Sequence, residues 1–439
     1  MKNIALAIVE KLQAAGHQTY WVGGCVRDIL MGIKPKDFDI ATSATPEQVE
    51  KLLAKTVPVG KKFGVLLAVE NGYNFEIATF RGEKGHRDAR RPDKVFWTSA
   101  ENDAARRDFT INALFYDPVA KKYLDFVGGR ADIKNKILRF IGEPEKRIEE
   151  DHLRILRAVR FKNILGFKYQ PKTREAVRKN AQLIVSISAE RIRNELNKML
   201  IDRSRADSIQ DLSDLGILKF VLPEVENCSG STQPPQFHAE GNVFVHTVLA
   251  LKKLSASAPL SVCWAILLHD IGKPATWKIR EHPKYGKRIT FYGHVKLSAE
   301  LTDKICRRLK FSKNLREKVV FLVREHLRHK DIMKMKEARR VRWLQNPFFP
   351  ELLQVWKADG QASLPNDLSL YNFALTEWKK EKKRPKPPKP FLNGNQVMKV
   401  LKIKPGPQVG EVLNLLGDAQ LEGKVKNQKQ AEEFIKSLK

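Results

Sequence analysis

The chain has 439 residues, 42% of them hydrophobic, and a formal net charge of +30 from 80 Lys and Arg against 50 Asp and Glu. That is room for several domains at about 100–200 residues each. The charge excess repels itself and calls for a polyanionic partner, nucleic acid before an anionic membrane, since no apolar run is long enough to span a bilayer. The four cysteines (Cys25, Cys228, Cys263, Cys306) lie far apart with no C-x-x-C spacing, which argues against a disulfide framework or a zinc finger. No signal-peptide pattern opens the chain, and a cytoplasmic protein is expected.

In chain order, Ala5, Ile8, Val9 and Leu12 share one helical face. Residues 18–22 read as a strand ending at Gly23-Gly24, and 37–40, 64–69 and 75–80 as further strands. Thr45-Pro46-Glu47-Gln48 is a helix start, with a Thr cap, Pro at the first position and Gln closing the box. These elements predict an α/β head, interrupted at 81–92 by an Arg-rich polar loop. From about Ile137 the pattern is nearly all helical, broken by Pro234-Pro235 and by a basic, Pro-rich linker at 379–390. The expected division is a head (1–135), a helical neck (136–205), a helical body (206–378) and a linker with a tail (379–439).

Gly23-Gly24 after a strand lets backbone amides approach a phosphate, and Arg27 adds a charged fork. Asp37 and Asp39 are two apart and project together from a strand while Phe38 and Ile40 pack inward. Two carboxylates on one edge suit divalent cations in phosphoryl transfer, with Glu76 the candidate third carboxylate; a solvated strand edge is the plainer alternative. The segment 106–114 (RRDFTINAL) brings charge, hydroxyl and amide to an expected strand-to-helix transition suited to phosphate and ribose. Residues 150–161 read as one helix with Asp151, Arg154 and Arg157 along one face. Two readings stay open there: a solvated salt-bridge ladder, or a protein-side template offering acceptor and donor to a base edge.

WVGGCVRDILMG, KDFDIATSATPEQV, RRDFTINAL, DFVGG (residues 125–129) and EDHLRILRAVRF together resemble the class II tRNA nucleotidyltransferase and bacterial poly(A) polymerase family, in its order and at its separations. The resemblance covers 1–205 closely and the rest more loosely. It implies a polymerase-β-like head followed by an all-α neck, body and tail. It also implies that Asp37 and Asp39 ligate Mg²⁺ and that Gly24 and Arg27 hold a triphosphate. Arg107, Asp108 and Asn112 would contact the sugar and phosphates, Asp151 and Arg154 would read the incoming base, and Arg157 and Arg160 would support the triphosphate. The implied partners are tRNA, CTP and ATP, with no membrane. Enzymes restricted to CC look shortened in the loop at 81–92, which is intact here; A-adding enzymes and poly(A) polymerases remain alternatives to full CCA addition. The segments 189–196 and 404–411 look more like those of tRNA enzymes and favour CCA.

Seven of the ten histidines fall between His238 and His329. His246, the His269-Asp270 pair, His294, His326 and Asp359 resemble an HD metal-dependent phosphohydrolase in their order. The pair follows an apolar stretch, 263–268, and a buried carboxylate needs a partner, which a divalent transition metal supplies. His246, His269, Asp270 and Asp359 are the expected ligands. His294 and His326 are candidates for a second metal position or for binding a phosphate, and Lys273 for stabilising transition-state charge. His238, His282 and His329 are expected to be structural. The rivals are an HD phosphohydrolase with an RNA-binding head, and a basic RNA chaperone, which leaves both clusters unexplained.

Overall fold

The protein is described here from a computed structural model that covers all residues except 85–93, 235–237, 284–285, 384–389 and 439. Most of the 81–92 loop, Pro235 and the centre of the basic linker therefore lie outside the described residues. The chain forms two compact units, Met1–Pro223 and Glu224–Lys439.

Nine strands come first: β1 (Thr19–Val22), β2 (Asp39–Thr42), β3 (Thr56–Gly60), β4 (Val65–Glu70), β5 (Tyr73–Thr79), β6 (Arg81–Lys84), β7 (Lys94–Trp97), β8 (Phe115–Asp117) and β9 (Lys122–Leu124). Seven form one sheet in the order β3-β4-β5-β2-β1-β8-β9, while β6 and β7 pair separately. Within the sheet β2 and β5 are parallel and the other pairs antiparallel. Alternation along the strands divides the core. Trp21, Ile40 and Ile77 face one side with Ala5, Ile8, Val9 and Leu12 of α1 (Lys2–Ala14). Val22, Ala41 and Phe115 face the other with Ala100 and Ala104, as period-2 side chains must. The predicted strands at 18–22, 64–69 and 75–80 are β1, β4 and β5 with ends moved by one or two residues. β8 and β9, three residues each, are too short to leave a readable alternation.

α2 (Gly24–Leu30), α3 (Pro46–Leu52), α4 (Ala100–Ala105) and α5 (Gly129–Asn135) complete this α/β part. The Thr45–Gln48 capping box forms as the sequence requires. A two-residue parallel pair, β10 (Ile137–Leu138) with β11 (Lys168–Tyr169), accompanies the helices α6 (Pro144–Glu150), α7 (Arg154–Leu165), α8 (Pro171–Lys179), α9 (Ala189–Ile201), α10 (Arg205–Asp214) and α11 (Leu218–Val221).

After α12 (Pro223–Glu226), the second unit is built on α13 (Val243–Lys253), α14 (Leu260–Leu268), α15 (Lys273–Thr276), α16 (His294–Arg308), α17 (Lys313–Arg324), α18 (Glu337–Leu344), α19 (Phe349–Ala362) and α20 (Ser369–Glu381). The second unit is mostly helical, as expected, with the addition of the hairpin β12 (Lys278–His282) and β13 (Gly286–Thr290), in which Ile279 lies opposite Ile289. Its strands are so charged that their alternation is masked. α14 is buried from Ser261 to Leu268 and packs with α13, α17 and α19. α21 (Gly394–Leu401), α22 (Pro407–Leu421) and α23 (Gln428–Lys436) enclose their own small core around Val397, Leu416 and Ile435. All four cysteines are buried and free. Among the described residues no helix is long and apolar enough to cross a membrane.

Candidate active site

In the first unit Val22 lies opposite Asp39, so the turn that ends β1 and the start of β2 share one end of the sheet. That turn is Gly23-Gly24. Gly23 has φ +76°, a left-handed conformation that asks for glycine, and it lies in contact range of the Arg107 guanidinium. Ile40 lies opposite Ile77 in the parallel β2–β5 pair, which sets Asp39 beside Glu76 one residue earlier. Asp37 is exposed and just precedes the strand, while Phe38 and Ile40 are buried. Burial, together with the charges of Glu76 and Asp37, raises the Asp39 carboxyl to about 6 against the opposing influence of Arg107. Three interacting carboxylates, one of them resisting ionisation, form a cluster that a divalent cation relieves.

Opposite them stands a network of arginines. The buried Asp103 takes Arg106 on one oxygen at 2.6 Å and Arg107 on the other at 3.0 Å. Arg27 Nη1 donates to Asn112 Oδ1 at 2.7 Å, and Asn112 Nδ2 donates to Asp108 Oδ1 at 3.2 Å. Asp108 Oδ2 accepts from Arg157 Nε at 2.8 Å and Nη2 at 2.5 Å. Burial alone would raise the Asp108 carboxyl, but the Arg157 guanidinium and the Phe109 N–H hold it below the usual carboxylate range. The guanidinium carbons of Arg27, Arg157 and Arg160 lie 5.5, 5.2 and 4.0 Å from the centre of the Phe161 ring. Three cations gathered on one ring can receive a polyanion. The structure thus brings together Arg27, Asp108, Asn112, Arg157 and Arg160, with Arg107 against Gly23.

Two local expectations are corrected. RRDFTINAL does not run from strand to helix; it leaves α4, makes a single 3₁₀ turn at Thr110–Asn112 and enters β8. The turn is pinned by Thr110 Oγ1 donating to Asp132 Oδ2 at 2.7 Å and by the Thr110 N–H donating to Arg139 O. Nor do residues 150–161 form one helix. α6 ends at Glu150, Asp151 is extended, and α7 starts at Arg154. Asp151 Oδ1 accepts the Leu153 N–H at 3.1 Å, a local bond that competes with helix continuation. Asp151 and Arg154 also face protein partners. Arg191 Nη2 lies 3.0 and 2.9 Å from the two Asp151 oxygens. Arg154 Nη1 donates to Glu150 Oε2 at 2.6 Å and to Arg147 O at 2.7 Å.

The second unit holds a separate cluster. His246 on α13, the His269-Asp270 pair after α14, His294 at the start of α16, His326 after α17 and Asp359 on α19 converge from five helices. His246 Nε2 is 2.9 Å from Asp359 Oδ1, and His269 Nε2 is 3.7 Å from the same atom. Asp270 lies 3.0 Å from His269 Nε2, 3.5 Å from His294 Nε2 and 3.7 Å from His326 Nε2. The Nδ1 atoms of His269, His294 and His326 meet the carbonyls of Ile266, Phe291 and Val323 at 2.8, 2.7 and 2.6 Å. Each ring therefore donates from Nδ1 and turns Nε2 inward, and all three Nε2 atoms are buried without a hydrogen bond of good geometry. Burial pushes His326 down to about 3, and His294 is lowered for the same reason. Burial also disfavours charge on His246, yet its bonds to Asp359 and Glu240 raise it to about 9. Gly272 allows the convergence, since a Cβ there would meet His294 O at 2.6 Å. Lys273 Nζ reaches Asp270 Oδ2 and Gln233 Oε1, both at 2.7 Å. Asp270, Lys273, His294, His326 and Asp359 line a cavity of about 740 Å³, as do His238 and His329.

Residues 19–139 match the Poly A polymerase head domain, 166–228 an RNA and SrmB-binding site of polymerase A, and 289–434 tRNA nucleotidyltransferase domain 2. The A-adding tRNA nucleotidyltransferase of Deinococcus radiodurans is 35% identical over 431 residues, 94% of either chain. The chain belongs to the tRNA nucleotidyltransferase family. Other members of the family, the CCA-adding enzymes of Ligilactobacillus salivarius and Bacillus velezensis, are 44% identical over 217 and 230 residues, 49% and 52% of this chain. The chain spans about half the length of these relatives, 54% and 57%. A crystal structure of the Bacillus stearothermophilus CCA-adding enzyme in complex with CTP is similar with a TM-score of 0.74 and 26% identity, covering 99% of this chain and 96% of that one.

Three side chains of this family member at the two sites had no role in the sequence reading: Asp103, Arg191 and Glu240. Each acts through a partner distant in the chain or on another turn. The only available signal was their acidic or basic character beside a motif.

Proposed function

We propose that the protein extends the 3′ end of tRNA without a template, adding C, C and A from CTP and ATP. The reading is carried by the placement of Asp37, Asp39 and Glu76 at the sheet end that also receives the Gly23-Gly24 turn and Arg107. Asp37 and Asp39 would hold Mg²⁺, which when bound activates the RNA 3′-hydroxyl and neutralises the triphosphate. Gly24, Arg27, Arg107 and Asn112 bind the triphosphate and sugar, and Arg157 and Arg160 balance its charge while Asp108 orders the guanidinium of Arg157. The 3′ oxygen joins the α-phosphorus and diphosphate leaves toward the arginines. Asp151 and Arg154 read the base, an acceptor and a donor set at a fixed distance by the break between α6 and α7.

A second reading, addition of the terminal A alone, is favoured by the full-length likeness to the A-adding enzyme. tRNA ending at the discriminator base and tRNA ending in CC, each given CTP, ATP or both, separate the two. The first reading expects CCA on the shorter substrate with both nucleotides. Extension of the CC substrate only, with ATP, leaves the second.

We also infer that the second unit is an HD phosphohydrolase acting on phosphoesters at RNA 3′ ends. The three buried, inward-turned Nε2 atoms support it, because imidazole nitrogens converging beside Asp270 and Asp359 suit a divalent transition metal. His246, His269, Asp270 and Asp359 would hold one ion and His294 and His326, with Asp270, a second; a bound ion polarises water for attack on phosphorus. Ni²⁺, Co²⁺ or Mn²⁺ with an RNA ending in a 2′,3′-cyclic phosphate tests it. Lack of hydrolysis with every ion, and no metal by elemental analysis, would leave a metal-free structural cluster.

A further inference from the structure

Three of the four inward-facing imidazoles are oriented by their own helix ends. The Nδ1 atoms of His269, His294 and His326 bond to carbonyls three residues back, at points where a helix ends or begins. His246 has no such carbonyl. It is the fourth residue of α13, and the turn around it is occupied by helix bonds such as His246 N–H to Asn242 O. Its Nδ1 meets a side chain instead, Glu240 Oε1 at 2.8 Å.

Glu240 is unusual for a carboxylate. Its side chain is 1% exposed, and its bonds are spread over two parts of the second unit. Oε1 also meets His238 Nδ1 at 2.7 Å, and Oε2 accepts the Leu364 N–H at 3.0 Å, just beyond the helix that carries Asp359. The Ala239 N–H donates to Leu364 O at 3.1 Å, so the loop carrying the carboxylate is tied down by its backbone as well. One end of the His246 ring therefore faces Glu240 and the other, Nε2, faces Asp359. A carboxylate behind an imidazole fixes ring and tautomer and increases the basicity of the ligating nitrogen, and loss of such a partner commonly weakens metal binding about 10–100-fold.

We propose that Glu240 is a positioning residue of the second-unit metal site: it holds His246 through Nδ1 so that Nε2 is presented, with Asp359, to a divalent transition metal. This rests on the metal-binding reading of that cluster. Among the four imidazoles of the ligand set, His246 is then the one whose orientation depends on a charged side chain outside that set, and His238 shares the same carboxylate without being a ligand.

The test is titration of the full-length protein with Co²⁺ alone, followed by visible absorption and by competition with a chelator. Glu240→Gln keeps the size of the side chain and an acceptor oxygen but removes the charge. The variant should bind Co²⁺ about 10–100-fold more weakly than the parent chain with an altered absorption band, while tRNA extension is unchanged. Glu240→Asp, which withdraws the carboxylate from the ring, should weaken binding in the same direction, and serves if the Gln variant folds poorly. His238→Ala should leave Co²⁺ affinity within a few-fold. A role limited to bracing the loop would lower the melting temperature and leave affinity alone; equal affinity in folded Glu240→Gln and parent protein therefore overturns the proposal while sparing the metal site. If the parent protein itself takes up no Co²⁺, the reading of the cluster falls and the role of Glu240 with it.

Discussion

The two polar centres of this molecule are built in opposite ways. In the first unit nearly every buried charge already has a counter-charge: Asp103 with Arg106 and Arg107, Asp108 with Arg157, Glu195 with Arg160. What stays short of compensation is a set of carboxylates at one strand end. In the second unit Lys273 meets Asp270 and His246 meets Asp359, while the Nε2 atoms of His294 and His326 are left without a hydrogen bond. The first arrangement keeps cationic forks rigid for a polyanion that comes and goes. The second has imidazole nitrogens locked inward in advance, which suits a cation.

The strongest way to break the comparison is to remove a carboxylate from one centre and read both. Asp39→Ala should lower nucleotide incorporation by on the order of a thousand-fold or more, the scale of losing a main charge-stabilising element. Its Co²⁺ uptake should match the parent chain, because the imidazole cluster proposed to bind that ion lies in the other unit. Incorporation within a few-fold of the parent would remove Asp39 from the catalytic centre.

Asp108→Ala probes whether the compensated network is structural as well as functional. Arg157 would be left largely buried without its partner, and breaking such a pair costs about 3 kcal/mol when one member keeps some solvent contact. Urea unfolding should show that loss, with a raised KM for both nucleotides. Unchanged stability would mean that the guanidinium finds water on its own.

Arg154→Ala sharpens the division of labour in the first unit. Its guanidinium is held by Glu150 and backbone carbonyls rather than by the triphosphate arginines. Its loss should therefore degrade choice among CTP, ATP, UTP and GTP by about 1–3 kcal/mol, with smaller effects on binding of the triphosphate. Parent-like preference ratios would point to the solvated-ladder reading of this segment.

The smallest effect concerns pH. Asp39, raised to about 6 by burial and by Glu76 and Asp37, holds its proton more tightly than an ordinary carboxylate. Below about pH 6 protons compete with Mg²⁺, and the Mg²⁺ concentration for half-maximal incorporation should rise roughly tenfold per unit, then level off above about pH 7. A flat requirement across that range would detach Asp39 from the ion.

Much of this was legible because its cause is local. The α1 face, the Thr45 capping box, the Asp37–Ile40 alternation and the apolar approach to His269-Asp270 depend on residues within a turn or two, and their periodicity survives in the sequence. The family motifs added which of those residues belong together. Tertiary structure alone decided the rest. It broke the expected 150–161 helix at Asp151, whose carboxylate bonds the Leu153 N–H and meets Arg191 forty residues on. It turned RRDFTINAL into a single pinned turn and placed Glu240 behind His246. Such contacts join side chains whose separation follows no helix or strand period. Their energy comes from burial and charge pairing that exist only once the chain is packed, so nothing in the linear order announces them.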